Sequence, residues 1–243
     1  MPDYLDTPQE RRIAYERTEG TGPPVLFLGG FRSDMQGGKA IHLEDWARRT
    51  GRAFLRFDYS GHGESEGRFE DGTIGQWAED AEAALGLVDG RAVLVGSSMG
   101  GWIALLLARR APERVHGMVL VAPAPDFTEQ GLWNGFDDLM RAKLMREGRV
   151  AVPSDYGDPY MITKALIEDG RRNLVMDAPL EVPGKLRMLL GTADTSVPVE
   201  WGTDLLAHVG SADARLTLVK DAGHRLSEPH ELGLIAGAVE DVT

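Results

Sequence analysis

The sequence predicts an α/β protein with a doubly wound, mostly parallel sheet and a small, mostly helical lid inserted into it. Short apolar runs recur along the chain, and each has the length of a strand that is buried on both faces. They are Val25–Leu28, Ala53–Phe57, Ala92–Val95, Met118–Ala122, Leu186–Leu190 and Leu216–Val219. Stretches with helical spacing lie between them, at Gly38–Arg49, Ile74–Val88, Met99–Arg109, Glu200–Val209 and Pro229–Val239. Strands that alternate with helices imply crossover connections between parallel strands.

Two segments depart from this alternation. Arg12–Arg17, before the first apolar run, is expected to add an antiparallel edge strand. Between Ala124 and Pro183 no convincing strand is found, although Leu132–Glu147 and Tyr160–Asp169 have helical patterns and prolines punctuate the rest. Because a structureless loop of this length is uncommon in a compact domain, we expect a helical lid there. The predicted division is a core at 1–123 and 184–243, with the lid at 124–183.

Composition excludes several kinds of site and partner. The 243 residues include no cysteine, which excludes disulfides, thiolate metal ligands and cysteine nucleophiles. The 26 basic against 38 acidic residues give a net charge of −12, which argues against nucleic acid or an anionic membrane as a partner. The N-terminal stretch does not resemble a signal or transit peptide, and the longest apolar run, Ile103–Ala108, is too short to span a membrane. We expect a cytoplasmic protein, and the sequence leaves its oligomeric state open.

The stretch VLVGSSMGGW contains a G-x-S-x-G pattern between a predicted strand and a predicted helix. A sharp strand-to-helix turn exposes the middle residue, and glycines two positions away on either side avoid a collision with that turn. Ser98 has Gly96 and Gly100 at those positions, whereas Ser97 would have Val95 and Met99. Ser98 is therefore the predicted nucleophile. The alternative is a plain glycine-rich turn or a phosphate loop, but the Gly-Lys-Ser/Thr ending of a Walker loop is absent.

A serine nucleophile needs a base and an orienting acid, which follow it in the chain in this type of fold. His224 lies in a loop just past the run Leu216–Val219, where a base can reach Ser98. Asp194 follows the preceding apolar run and is the predicted acid. Asp126, one strand earlier, is the alternative, because some hydrolases place the acid there. Three other histidines are not favoured, since His116 precedes a strand and His208 and His230 fall in helical patterns.

An oxyanion hole needs two N–H donors. The backbone N–H of Met99, directly after the nucleophile, is the first candidate, and that of Phe31, in the loop GGFRSDMQGGKA after the first apolar run, is the second. Ser33 and Asp34 in the same loop either touch substrate or have an ordinary loop role. The stretch DYSGHGESEG could suggest a metal or acid–base site. We interpret it instead as a structural turn held by hydrogen bonds of Asp58 and Ser65.

These residues resemble the α/β-hydrolase superfamily of serine hydrolases over nearly the whole chain. The matching features are, in chain order, GGF, FDYSGHGES, GSSMGG, GTADTSVP and AGH. More narrowly, GGFRSDMQGGKA, RFDYSGHGESEG and LVGSSMGGW are similar to mitochondrial mammalian hydrolases that remove palmitate from protein cysteines and cleave the acyl-glucuronide of mycophenolic acid, and to bacterial relatives. The resemblance implies a Ser98–Asp194–His224 triad and N–H donors at Phe31 and Met99, in agreement with the assignments from the residues.

Three functions remain open at this point. The first is an esterase or thioesterase that needs no metal or organic cofactor and takes a small-molecule or acylated substrate with an apolar acyl group. The second is a hydrolase of the same fold that cleaves a C–C bond, an amide or a lactone, and the third is a ligand receptor on a hydrolase scaffold. The apolar residues of the predicted lid either form an acyl pocket or pack the lid on the core. They are Phe127, Leu132, Trp133, Phe136, Leu139, Met140, Leu144, Met145, Tyr156, Tyr160 and Met161.

Overall fold

A computed structural model describes residues 1–153 and 159–243 and has the predicted α/β architecture. Its strands are β1 (Asp3–Asp6), β2 (Arg12–Thr18), β3 (Thr21–Leu28), β4 (Arg52–Phe57), β5 (Ala92–Ser97), β6 (Val115–Val121), β7 (Arg149–Val152), β8 (Tyr160–Thr163), β9 (Leu180–Glu181), β10 (Lys185–Gly191), β11 (Val209–Gly210) and β12 (Asp213–Val219). Its helices are α1 (Gly38–Thr50), α2 (Ile74–Leu85), α3 (Met99–Arg110), α4 (Asp138–Glu147), α5 (Lys164–Arg172), α6 (Val199–His208) and α7 (Pro229–Val242).

The central sheet has eight strands in the order β1-β2-β4-β3-β5-β6-β10-β12. All pairs from β4 to β12 are parallel, whereas β1 pairs with β2 and β2 with β4 in the antiparallel sense. The predicted fold class is thereby confirmed. The position predicted for Arg12–Arg17 was wrong in one respect. The strand there is antiparallel, but Asp3–Asp6 lies outside it and forms the edge, a strand with no buried residue and hence no apolar signal.

Helices cover both faces of the sheet, as the doubly wound prediction requires. Alternate residues of β3 pack on opposite faces of the sheet. Val25 and Phe27 belong to the core under α1 and α7, while Leu26 and Leu28 belong to the core under α2 and α3. Because successive side chains of a strand point to opposite faces, a continuous apolar run is what a strand covered on both faces needs. The apolar runs of the sequence are therefore the central strands.

The residues between β6 and β10 leave the sheet, although these two strands pair directly with each other. They form a π-helical turn at Thr128–Trp133, the helices α4 and α5 and an antiparallel β7–β8 hairpin. The expectation of no strand in this segment was wrong, and the helix expected from Tyr160 begins only at Lys164. Each hairpin strand has four residues, of which only one is buried: Val150 in β7 and Ile162 in β8. So short a pattern does not show the alternation by which a strand is recognised in a sequence. The division into core and lid stays a prediction, and Tyr156 lies outside the described residues.

The carboxyl ends of the parallel strands meet along one edge of the sheet, where a doubly wound fold binds its ligands. The turns after β3, β5, β6, β10 and β12 all lie on this edge, and they contain the residues singled out by the sequence. In the described part of the chain, no helix has the length and apolar character needed to cross a bilayer.

Candidate active site

Ser98 stands at the sharp turn between β5 and α3. Its backbone has φ 53° and ψ −116°, a conformation that is costly for a residue with a side chain. The turn is held on both sides of this residue. The Ser98 N–H donates to the carbonyl of Val121 at 2.9 Å, and the Ser98 carbonyl accepts from Gly101 at 2.8 Å and Ala124 at 3.2 Å. The surrounding strands therefore impose the strained conformation predicted for the nucleophile.

The glycines that flank Ser98 leave no room for a side chain. A Cβ atom at Gly96 would lie 2.4 Å from the carbonyl oxygen of Gly100. A Cβ atom at Gly100 would lie 2.0 Å from the carbonyl oxygen of Leu28, which belongs to the neighbouring strand. Backbone atoms cannot yield as a flexible side chain can, so the spacing that distinguishes Ser98 from Ser97 has a steric basis.

We expect Gly100→Ala to destabilise the protein by about 3 kcal/mol or more, because the added methyl group must push β3 away from α3. The matched control is Gly237→Ala in α7, where a Cβ atom meets nothing within 4 Å. That change is expected to add about 0.5–1 kcal/mol, since alanine favours a helix more than glycine does. Urea unfolding of both variants measures the difference. A Gly100→Ala protein as stable as the parent would contradict the steric interpretation.

His224 connects Ser98 to Asp194. Its Nε2 lies 3.0 Å from Ser98 Oγ, and its Nδ1 lies 2.8 Å from Asp194 Oδ2. The other oxygen of Asp194 accepts the N–H groups of Ser196 at 2.8 Å and Val197 at 2.9 Å, which fixes the carboxylate plane. Burial raises the pKa of Asp194, but the hydrogen bond from His224 and those backbone N–H groups outweigh it, so the pKa is lowered overall. The aspartate therefore remains ionised next to the imidazole at neutral pH.

Backbone hydrogen bonds connect the loop after β10 to the loop after β12, and this places Asp194 next to His224. The N–H of Thr192 donates to the carbonyl of Val219, and the N–H of Ala193 donates to that of Ala222, both at 2.9 Å. Asp221, which is near His224 in sequence, instead takes a left-handed φ of 61° and donates its N–H to Thr192 Oγ1.

The alternative acid, Asp126, has different partners. Its Oδ1 accepts the N–H of Val175 at 2.9 Å, and its Oδ2 accepts that of Met176 at 3.0 Å. The side chain is 2 % exposed and burial raises its pKa, partly offset by these two bonds. Asp126 thus ties the turn after β6 to the segment after α5. His208, one of the other histidines, lies at the end of α6. Its Nε2 is 3.0 Å from the carbonyl oxygen of Val175 and 2.9 Å from that of Ala178.

The two expected oxyanion donors lie close to Ser98. Met99 is the first residue of α3, so its N–H has no partner within the helix. Neither this group nor the N–H of Phe31 donates to any residue that the structure describes. The loop with Phe31 lies against the nucleophile, since a Cβ atom on Gly30 would be 3.5 Å from Ser98 Cβ. Both N–H groups are thus near the elbow and without a partner among the described residues.

The ring of Phe31 packs against four other aromatic rings, which the sequence did not reveal. It makes edge-to-face contacts with Phe69, Trp77, Phe127 and Tyr160, with centroids 4.8–5.9 Å apart. Phe127 and Tyr160 come from the segment between β6 and β10, whereas the other two rings come from the main α/β layers. The donor loop therefore packs between these two parts of the protein.

A pocket of about 440 Å³ opens at Ser98 and His224. Much of its wall is apolar, with Phe31, Phe127, Leu132, Tyr160, Ile162, Val197 and Trp201. Of the apolar residues named in the predicted lid, Phe127, Leu132 and Tyr160 line it. Phe136 and Leu144 are buried in the core instead, and Leu139 and Met145 are exposed. Some of these residues therefore pack in the core and others line the pocket, and the acyl pocket stays a prediction.

Three cationic residues also line the pocket, and no pattern in the sequence indicated them. They are Arg32, Lys39 and Arg225, and no carboxylate side chain of the described residues lies in the wall. The guanidinium of Arg32 lies 5.4 Å from the ring centres of both Phe69 and Tyr160. Lys39 Nζ donates to the Arg225 carbonyl, and burial, with a smaller repulsion from Arg225, lowers the pKa of Lys39 to about 8.

Asp58 and Ser65 make the hydrogen bonds that were expected to hold the turn DYSGHGESEG. Asp58 accepts the N–H of Met35 at 2.6 Å and that of Glu64 at 2.9 Å. Ser65 Oγ donates to the Asp58 carbonyl at 2.7 Å and accepts the N–H of Ala14 at 2.8 Å. The described residues contain no group of three or more His, Asp or Glu side chains arranged to hold a metal ion.

The chain matches known proteins along most of its length. Residues 25–164 match the Hydrolase_4 family model, described as serine aminopeptidase, S33. The mitochondrial palmitoyl-protein thioesterase ABHD10 of Bos taurus is 32 % identical over 245 residues, which cover 98 % of this chain and 79 % of the relative. A crystallised protein of Agrobacterium vitis S4, provisionally named a hydrolase, is 40 % identical with a TM-score of 0.95, and the match covers 100 % of this chain and 98 % of that one.

The mouse α/β hydrolase domain-containing protein 10 is similar in structure as well. It superposes with a TM-score of 0.92 at 29 % identity, covering 100 % of this chain and 98 % of its own. These matches confirm the resemblance seen in the sequence motifs. The chain therefore belongs to the α/β-hydrolase family described as serine aminopeptidase, S33, and is an α/β hydrolase of the serine-hydrolase type.

Proposed function

We propose that this protein hydrolyses carboxylic esters or thioesters through an acyl-enzyme on Ser98. The observation that supports this most is the unbroken hydrogen-bonded series from Ser98 Oγ through His224 to the buried carboxylate of Asp194. Relatives named as palmitoyl-protein thioesterases, similar over 98 % of the chain, point to the same class of bond. The cytoplasmic location stays a prediction, since those relatives are named as mitochondrial.

In the proposed reaction, His224 Nε2 takes the proton from Ser98 Oγ as the oxygen attacks the acyl carbon. Asp194 holds the imidazole with its Nδ1 proton toward the carboxylate and stabilises the imidazolium that forms. The N–H groups of Phe31 and Met99 donate to the oxyanion, with help from the positive end of α3. The alcohol or thiol leaves with the proton from His224. Water, deprotonated by His224, then attacks the acyl-enzyme and releases the acid.

The pocket supports a substrate with an apolar acyl group. Its aromatic and aliphatic wall suits a hydrocarbon chain, and its volume of about 440 Å³ is in the range of small-molecule sites. Arg32, Lys39 and Arg225 would contact a negative charge on the same substrate. A substrate panel should therefore vary acyl length, ester against thioester, and the charge of the leaving group.

The test is turnover of p-nitrophenyl esters and of the matching acyl thioesters, from acetyl to palmitoyl, by the purified chain. We expect turnover of esters or thioesters and labelling by a fluorophosphonate at the peptide that contains Ser98, located by mass spectrometry. Amides, lactones and a C–C substrate complete the panel. Turnover of one of these alone would indicate another bond type. A stable adduct with no turnover of any substrate would indicate a receptor.

A further inference from the structure

The second oxyanion donor, the N–H of Phe31, belongs to a loop between β3 and α1 with no regular secondary structure. A backbone donor stabilises an oxyanion only if its direction is fixed before the reaction. Two peptide groups flank Phe31, one shared with Gly30 and one shared with Arg32. The structure shows what holds each of them.

The peptide between Gly30 and Phe31 is held through its carbonyl. The Gly30 oxygen accepts the N–H of Ser33 at 3.1 Å and the Ser33 hydroxyl at 2.7 Å. Because the C=O and N–H of a trans peptide point in opposite directions, these bonds aim the Phe31 N–H away from Ser33. Ser33 thus has the loop function that was one of its two expected uses.

The peptide between Phe31 and Arg32 is held by a side chain from a different part of the chain. The N–H of Arg32 donates to His62 Nε2 at 3.3 Å. Arg32 has φ 57°, in the left-handed region that residues with a side chain rarely adopt. A backbone in this conformation needs outside contacts to persist, and His62 supplies one of them.

The surroundings of His62 favour a neutral imidazole whose Nε2 accepts a hydrogen bond. It is 4 % exposed, and its Nδ1 lies 3.3 Å from the Ser60 carbonyl, so the tautomer with the proton on Nδ1 satisfies both contacts. Its ring makes edge-to-face contacts with Tyr59, Phe69 and Trp77. Burial lowers the pKa of His62 to about 4 and outweighs the raising effects of the Ser60 carbonyl and Asp80, while Arg32 lowers the pKa slightly further and Asp34 raises it slightly.

We infer that His62 is a positioning residue for the oxyanion hole: by accepting the Arg32 N–H it fixes the peptide that follows Phe31, while Ser33 fixes the peptide that precedes it, and together they hold the Phe31 N–H beside Ser98. It transfers no proton and contacts no substrate in this arrangement, and it is absent from the pocket wall. The inference rests on the proposed function, because it assigns His62 to the same reaction. It also gives the histidine of the GHGES turn a function beyond the structural turn.

Three variants of the full chain separate positioning from packing. His62→Phe keeps a ring among the three aromatic neighbours but removes the acceptor. His62→Gln and His62→Asn both remove the ring, but only the glutamine amide reaches the position of Nε2, while asparagine reaches that of Nδ1. Any kcat difference between glutamine and asparagine therefore reports the Arg32 bond and not the loss of ring contacts.

With p-nitrophenyl butyrate, we expect His62→Phe and His62→Asn to lower kcat by about 10- to 100-fold, because a donor displaced by a fraction of an ångström stabilises the oxyanion poorly. KM is expected to change by less than about threefold, since substrate binding does not use this bond. His62→Gln is expected to restore kcat to within about threefold of the parent. Affinity for a trifluoromethyl ketone, which forms a tetrahedral oxyanion, should fall in parallel with kcat.

Each outcome either supports or overturns the role of His62 in positioning the oxyanion hole. If His62→Phe keeps the parent kcat, or if the glutamine and asparagine variants have equal kcat, His62 does not position the oxyanion hole. Should His62→Phe fail to fold, the glutamine and asparagine pair gives the answer alone. If the parent protein neither hydrolyses esters nor is labelled at Ser98, the proposed function fails and this inference fails with it. An active parent with indifferent His62 variants overturns this inference only.

Discussion

Replacing Ser98 with alanine is expected to lower kcat for ester hydrolysis by about 10⁴-fold or more and to abolish fluorophosphonate labelling. The change removes the only oxygen within hydrogen-bond reach of His224 Nε2 among the described contacts. Binding should survive, because the pocket wall and the oxyanion donors remain. Thermal unfolding should also be nearly unchanged, since the hydroxyl supports no other part of the fold among the described contacts. Steady-state kinetics and intact-mass analysis measure the two effects.

Ser97→Ala is the matched control. Ser97 is the last residue of β5, it is 8 % exposed, and it too lines the pocket. It has the same chemistry as its neighbour, but it is not bonded to His224. We expect kcat to stay within about tenfold of the parent, because triad chemistry is intact. Loss of labelling in Ser97→Ala with its retention in Ser98→Ala would reverse the assignment of the nucleophile.

The serine could be chosen from the sequence because the choice depends on backbone sterics. Glycines at positions 96 and 100 are needed where a Cβ atom would strike a carbonyl 2.0–2.4 Å away, and that need is visible as a one-dimensional spacing. Asp194 and His224 could be found for a similar reason. Both follow apolar runs that become neighbouring strands, so strand order alone brings them to one edge of the sheet.

What the sequence did not reveal depends on contacts between distant segments. The bond from Arg32 to His62 joins two loops that have no shared pattern, and the histidine was interpreted only as part of a turn. The cations of the pocket come from two distant segments of the chain and are few among 26 basic residues. The β7–β8 hairpin was missed because two four-residue strands with one buried residue each carry almost no periodicity.

Asp194→Asn is expected to lower kcat by about 10³- to 10⁴-fold. An asparagine amide group can donate to His224 Nδ1, which favours the tautomer with the proton on Nε2, and that tautomer cannot accept the serine proton. Because the pKa of Asp194 is lowered below its ordinary value of 3.8, the carboxylate stabilises the fold above that pH, and this contribution is lost as pH falls through the lowered pKa. The parent rate between pH 5 and 9 should therefore contain no step from Asp194.

Asp126→Asn is the contrasting variant, because Asp126 also follows a strand and was the alternative acid. Its two oxygens accept the N–H groups of Val175 and Met176, and an amide can accept only one of them. We expect a loss of about 1–3 kcal/mol in unfolding free energy, with kcat near that of the parent. The two variants should thus differ in rate, because only Asp194→Asn changes the partner of His224. A large fall in kcat for Asp126→Asn at full stability, with Asp194→Asn active, would move the orienting acid to the end of β6.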